Sequence, residues 1–292
     1  MIQSSGYFNE TPCVKDMPET GLELLYDSPA GHCLLLKGHR NDRIVVYKSL
    51  KPEFKDDPVY QRMLRREYEI GVSLKHPGVC EMLAWTHLPE YGDCIEMEYI
   101  DGCRLDQWLV EHPGDRALCR KVVCDLCDAL SYIHRKQVIH KDLKPENILV
   151  TKYGSYPKII DFGLSDTDSI LTGKDPAGTW KYAAPEVRAG GAADARSDIY
   201  SLGILMSEMG SAFSKVARKC SAERPEMRYQ SAEEVLEDVS KSRRFPLQAI
   251  AAVVVFMLVA ALGASLYLRR TAPVERIFME AVEQVRAASM LS

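Results

Sequence analysis

The sequence predicts an α+β protein, with a small strand-rich lobe, a larger helical lobe after it, and one apolar helix near the C-terminus. Three observations predict this. Short runs of leucine and β-branched residues, separated by polar turns, are concentrated before residue 100. From about residue 104 onward the apolar residues recur at helical spacing. Finally, Leu247 to Leu268 reads as 22 residues without a charge.

Residues 1–21 read as a lead-in, with neither a basic leader nor an apolar run, so no secretory signal is expected. In the small lobe, 22–100, Leu34-Leu35-Leu36 and Ile44-Val45-Val46-Tyr47 are strand-like around the polar turn 37–42, and helix formers follow from about 58 to 75. In the larger lobe, 101–240, Val122, Val123, Leu126, Ala129, Leu130 and Ile133 make one apolar helical stripe. Ser231-Ala232-Glu233-Glu234 is a capping box that opens a helix with Val235, Leu236 and Val239 inward. The apolar run 247–268 would span about 33 Å as a helix, which matches a hydrocarbon core of roughly 30 Å, so it is expected to cross a membrane once. The tail, 269–292, carries a stripe of Val274, Ile277, Phe278, Ala281, Val282 and Val285, read as a short amphipathic helix or a frayed end.

Composition narrows the functions. The 37 Lys and Arg against 41 Asp and Glu give a net charge of −4, which argues against a nucleic-acid surface. The nine cysteines have no disulfide-framework or zinc-ligand rhythm, and Cys124 and Cys127 find no second such pair, so thiols in a reducing compartment are expected.

The chemistry is concentrated in Val138-Ile139-His140-Lys141-Asp142-Leu143-Lys144-Pro145-Glu146-Asn147. An Asp followed five positions later by an Asn can set a proton-accepting carboxylate beside a metal-ligating amide, the combination phosphoryl transfer uses. Asp161-Phe162-Gly163 follows at the end of the strand-like Lys158-Ile159-Ile160, which suits a second magnesium ligand on a movable loop.

On these motifs, in this order, the chain resembles a eukaryotic-type Ser/Thr protein kinase over residues 22–240. Ala184-Pro185-Glu186, with Gly178, Thr179 and Tyr182 before it, matches the family's GTxxYxAPE pattern, and Leu143-Lys144-Pro145-Glu146 points to the same branch. Asp198 matches the Asp that supports the catalytic loop, and Arg228 the Arg that pairs with the APE glutamate, here Glu186. The resemblance implies the bilobal kinase fold, ATP and Mg²⁺ as cofactors, and protein hydroxyls as substrates. It assigns Asp142 to orienting the substrate hydroxyl, Lys144 to the γ-phosphate, and Asn147 and Asp161 to Mg²⁺. Lys48 with Glu67 (Glu69 as the fallback) would position ATP, Met97, Glu98 and Tyr99 would line the adenine site, and Gly31 would approach the phosphates.

Four features depart from the family pattern. Where it has GxGxxG, this chain has Ser28-Pro29-Ala30-Gly31-His32-Cys33, which predicts weak ATP affinity or a loop that sits further from the phosphates. Its HRD is His140-Lys141-Asp142, and Lys cannot make the planar bidentate contact to a phosphorylated loop residue such as Ser165, Thr167, Ser169 or Thr172. The segment from Glu186 to Arg228 is short, so a helix and its loops are expected to be missing from the substrate-docking region. Gly71, four residues after Glu67, replaces an apolar side chain, which predicts a less well-held active arrangement. These features keep a pseudokinase scaffold open beside an active kinase, whereas APE argues against a small-molecule kinase. The arrangement resembles bacterial membrane-anchored members, with the kinase domain cytoplasmic at the plasma membrane. Ala260, Gly263 and Ala264 offer a small-residue face for a homodimer.

Overall fold

The computed structural model describes residues 21–27, 31–163, 179–241 and 247–289; side chains in the last stretch are described mainly over 253–267 and 277–284. The chain divides into two compact units, Met1–Val239 and Ser240–Ser292.

The first unit opens with a five-stranded antiparallel sheet in the order β1-β2-β3-β5-β4. The strands are β1 (Glu23–Asp27), β2 (Cys33–Arg40), β3 (Arg43–Leu50), β4 (Met82–Leu88) and β5 (Gly92–Glu98). The β2–β3 hairpin turns at Asn41 and Asp42, both left-handed at φ 47° and 63°, a conformation Asn and Asp tolerate better than most residues. Strand parity divides the side chains between two faces. Leu34, Leu36, Val45, Tyr47, Leu88 and Cys94 form one small buried cluster, while Leu50, Met82 and Ile95 join the main core.

Helix α1 (Pro58–Gly71) begins at Asp57, whose carboxylate accepts from the Val59 N–H at 2.8 Å, with Pro58 in the first turn. It buries Leu64, Glu67 and Gly71, a spacing that keeps all three on one face.

The helical lobe is built on α3 (Arg116–Arg135), capped by Asp115 through the Ala117 and Leu118 N–H groups. All six residues of its expected stripe are fully buried, each stabilising the fold by about 1.5–3 kcal/mol for the larger aliphatics. Before it lie the short β6 (Gly102–Arg104) and α2 (Leu105–Glu111), and after it β7 (Ile148–Thr151) and β8 (Pro157–Ile159) complete a three-stranded sheet β6-β7-β8. Then come α4 (Pro185–Arg188), α5 (Ala195–Glu208), α6 (Ser214–Cys220) and α7 (Ala232–Lys241). In α7 the Ser231 hydroxyl accepts from Glu234 N as the capping box requires, but the Glu234 carboxylate takes the N–H of Gln230 instead of Ser231.

The lobe is indeed short here. Only a glycine turn at Gly210 (φ 118°) and a 3₁₀ turn, Ser211–Phe213, separate α5 from α6. The two helices can lie this close because of Gly203: a Cβ there would stand 2.6 Å from Cys220 Cβ and 2.9 Å from Ser221 N. The opening at Gly71 is likewise occupied. Met82, only 2% exposed, fills the space that a side chain at 71 would need. The packing missing from α1 is therefore supplied from β4, and the expected looseness is offset.

The second unit is one helix, α8 (Leu247–Ser289), 43 residues long. It runs through Pro273, so the tail is continuous with the apolar run and not a separate short helix. Its described side chains from Val253 to Val259 are 51–72% exposed, although all are apolar. Among the described residues no helix is long and apolar enough to cross a membrane, the described part of the apolar run covering only 253–267.

Candidate active site

Lys48 in β3 has the parity opposite to Tyr47 and so faces α1. Its Nζ lies 2.7 Å from both carboxylate oxygens of Glu67 and 3.0 Å from Oδ1 of Asp161. Three residues from β3, α1 and the end of β8 thus converge, with the Lys48 and Glu67 side chains only 10% and 4% exposed. Glu69 points elsewhere, pairing with Arg65 at 3.4 Å on the outer face of α1.

Burial would lower the Lys48 pKa, but the Asp161 and Glu67 carboxylates outweigh it and raise it, holding the ammonium charged. Burial pushes Glu67 up to about 7 against the pull of Lys48. Desolvation acts to raise the Asp161 pKa, although its side chain is 43% exposed. Lys48 and the Gly163 N–H nonetheless hold its carboxyl well below the usual carboxylate range.

The loop from α3 to β7 is anchored by Asp198 in α5. This fully buried carboxylate accepts the backbone N–H groups of His140 and Lys141, each at 2.8 Å, and lies 2.8 Å from His134 Nε2. Burial acts to raise Asp198, but His134 and these donors bring it below its ordinary value. The anchor sets Asp142 beside two partners. Lys144 Nζ is 2.7 Å from Asp142 Oδ2, and Asn147 Nδ2 donates to the Asp142 carbonyl and carboxylate at 2.8 and 2.9 Å. Burial raises the Asp142 pKa, with Lys144 pulling the other way, which makes this carboxylate a better proton acceptor than an ordinary Asp. Lys141 and Asp161 hold left-handed backbone, φ 66° and 65°, a strain that persists only where the surroundings impose it.

The donor set fits Mg²⁺. Asn147 commits its amide nitrogen to Asp142, which leaves Oδ1 as a donor, and Asp161 commits Oδ1 to Lys48 and Gly163, which leaves Oδ2. Oxygen donors of this kind suit a hard divalent cation. Asn147 and Asp161 would hold it, and it would supply positive charge to offset that of the phosphates.

The other expected residues are placed less uniformly. Met97 pairs with Met82 across β4–β5, and Tyr99 follows β5 with Lys37 Nζ 5.6 Å from its ring centre. The Glu98 carboxylate is turned to Lys158 and the Glu81 N–H, so its side chain is committed away from a nucleotide. Gly31 stands two residues before β2, while Ser28, Pro29 and Ala30 lie outside the described residues, as do Ser165, Thr167, Ser169, Thr172 and Gly178.

Two residues were not singled out from the sequence. Cys33 is partly buried beside Lys48, Glu67 and Asp161, and desolvation pushes its thiol up to about 12, so it lines the cleft as a neutral apolar surface. Met82 gave no signal beyond an apolar position in a strand. A cavity of about 450 Å³ at α1 and the β4–β5 hairpin takes in none of these groups.

The protein kinase domain model matches residues 29–250. The chain belongs to the protein kinase domain family. Among curated relatives, a probable serine/threonine-protein kinase of Streptomyces coelicolor is 34% identical over 183 residues, covering 58% of this chain and 26% of that protein. The serine/threonine-protein kinase PrkC of Bacillus subtilis is 32% identical over 177 residues, covering 58% and 26%. The chain spans about a quarter of the length of these relatives. The crystal structure of the Mycobacterium tuberculosis PknI kinase domain shares the fold with a TM-score of 0.59 at 21% identity, covering 77% of this chain and 98% of that one. In the present chain Glu186 and Arg228 form a bidentate pair at 2.8 and 2.7 Å, with the Arg228 side chain fully buried. Tyr182 donates to Glu208, and its carbonyl accepts from Ser201.

Proposed function

We propose that this chain is a Ser/Thr protein kinase that transfers the γ-phosphoryl group of ATP to protein hydroxyls, anchored by a single membrane helix with the kinase domain on the cytoplasmic side. The observation that carries the catalytic reading is the Lys48 cluster. A cation held between Glu67 and Asp161 at 2.7 and 3.0 Å is already placed to receive phosphate oxygens.

On this reading Lys48 orients the α- and β-phosphates, and Glu67 fixes Lys48. Asp142 takes the hydrogen bond, and then the proton, of the attacking hydroxyl, and Lys144 offsets charge on the transferred group. Mg²⁺, when bound, supplies the neutralisation that lets the phosphate oxygens share this small site. Met97, Glu98 and Tyr99 border the adenine through side chain or backbone.

The uncharged run 247–268 and the exposed apolar side chains of α8 support anchoring, and the use of ATP supports a cytoplasmic side for the kinase domain. A homodimer through Ala260 and Ala264 is part of the same proposal.

The test is phosphate transfer from labelled ATP and Mg²⁺ by the full-length protein in detergent or lipid, to itself and to a generic basic protein. Asp142→Asn and Asp161→Asn run alongside. The expected result is transfer by the parent and a loss of at least about 10²-fold in both variants. No transfer from a folded parent, with Mn²⁺ as well as Mg²⁺, would move the assignment to a pseudokinase scaffold.

A further inference from the structure

Glu98, the last residue of β5, makes three links that nucleotide binding does not require. Its N–H donates to the Glu81 carbonyl at 3.0 Å, and its Oε1 accepts the Glu81 N–H at 2.8 Å. The same Oε1 accepts from Lys158 Nζ at 2.6 Å. Lys158 lies in β8, three residues before Asp161. That strand is itself tied to the segment leading into β4: Ile159 N donates to Gly78 O and Cys80 N to Ile159 O, both at 2.9 Å. Beyond it, Ile160 N donates to Asn147 O at 3.0 Å. Thus the end of β5, which leads into the segment joining the two lobes (the hinge), the residue before β4 and the strand that leads to Asp161 meet at one carboxylate.

The pair is not an ordinary surface contact. Lys158 and Glu98 are 19% and 26% exposed, and they border a cavity of about 260 Å³ together with His76, Pro77 and Val79. A shared oxygen with two short donors, one of them charged, is stronger and more directional than an exposed ion pair.

We propose that Glu98, Lys158 and the Glu81 amide form a clasp that couples the hinge to Asp161 and so fixes how far the two lobes open around the nucleotide. Glu98 then serves as a positioning residue through its side chain. The kinetic consequence rests on the kinase reading, whereas the clasp itself does not.

Two measurements on the full-length protein test it. In the first, Lys158→Met and Glu98→Gln each raise the KM for ATP by roughly 3- to 10-fold while kcat changes less than about 2-fold, because the site is assembled but held less often at the right opening. Lys158→Arg keeps the parent value, and the double variant is no worse than either single one. Additive effects, an unchanged KM, or a Lys158→Arg defect as large as that of Lys158→Met would overturn the proposal. In the second, amide hydrogen exchange is followed without nucleotide. The Cys80, Glu81 and Ile159 N–H groups exchange faster in Lys158→Met than in the parent or Lys158→Arg; equal rates would overturn the clasp. This readout stands even where the parent transfers no phosphate, so failure of the kinase assignment and failure of the clasp are told apart.

Discussion

Lys48 stands between two carboxylates, and one cation cannot neutralise both. The strain is divided unequally. Asp161, partly open to the cleft and bonded to the Gly163 N–H, stays ionised well below the usual range, whereas burial pushes the enclosed Glu67 up to about 7. The sign of the resulting pH dependence follows from linkage. The unfolded Glu67 carboxyl titrates near its ordinary value, about 4.3, and the folded one near 7, so the folded state holds the extra proton between the two. Its contribution to stability is fully present below the unfolded value and is lost as pH rises through about 7. Asp161, depressed, contributes a constant amount over that window. The thermal midpoint of nucleotide-free parent should therefore fall relative to Glu67→Gln between pH 5 and 8, by on the order of 1 kcal/mol or more, at about 2–4 °C per kcal/mol for a domain of this size. A gap between the two that stays constant over this range would show that Glu67 is ionised throughout. Bound Mg²⁺ and ATP bring their own charges to the cluster, so the effect belongs to the empty protein.

At the scale of elements, this lobe stays closed without a helix between α5 and α6 because a glycine lets the two helices touch. A side chain at 203 would meet the Cys220 Cβ, the Ser221 amide and the Ala217 carbonyl at 2.6–3.0 Å, none of which can swing aside. Gly203→Ala should cost about 1–3 kcal/mol or more, as overpacking does. Gly71→Ala should cost less, because its obstacle is the flexible end of Met82. Equal losses in denaturant midpoint would mean that α6 shifts freely. The contrast also shows what the sequence makes legible. The strand pair, the α3 stripe and the DFG and APE motifs are local patterns, and the structure has elements where they predict them. Of the two glutamates offered by the resemblance, it is Glu67 and not the fallback Glu69 that meets Lys48. Local pattern marks the hole at Gly71 but not its filling, since Met82 reaches α1 only after β4 has paired with β5. Nor does the side-chain direction of Glu98 follow from hinge spacing, because its partner Lys158 lies 60 residues away. Alternation selects a face, while long-range partners are selected by the assembled fold.

For the whole molecule, the question is what the helix after residue 246 does for a domain that already buries its own core. A 43-residue helix is about 65 Å long, roughly twice a hydrocarbon thickness. Its apolar first half would sit in lipid and its mixed second half beyond it. Exposed Val253, Val254, Val255, Phe256, Met257, Leu258 and Val259 present a continuous greasy surface to water, which lipid would cover at no cost in backbone hydrogen bonds, since a helix satisfies its own. If 247–268 is an anchor, the expressed protein should sediment with membranes and be released by detergent but not by 1 M salt, a concentration that screens charge contacts within about 3 Å. Val255→Asp with Val259→Asp should move it to the soluble fraction, because each charge near the centre of a span costs about 2.5–3.5 kcal/mol. Phosphate transfer by that soluble variant should persist, since neither residue belongs to the compact unit that contains Lys48 and Asp142. Release of the parent by salt would instead make α8 a peripheral or partner-binding rod, and the membrane part of the proposal would fall while the chemistry of the kinase domain stood.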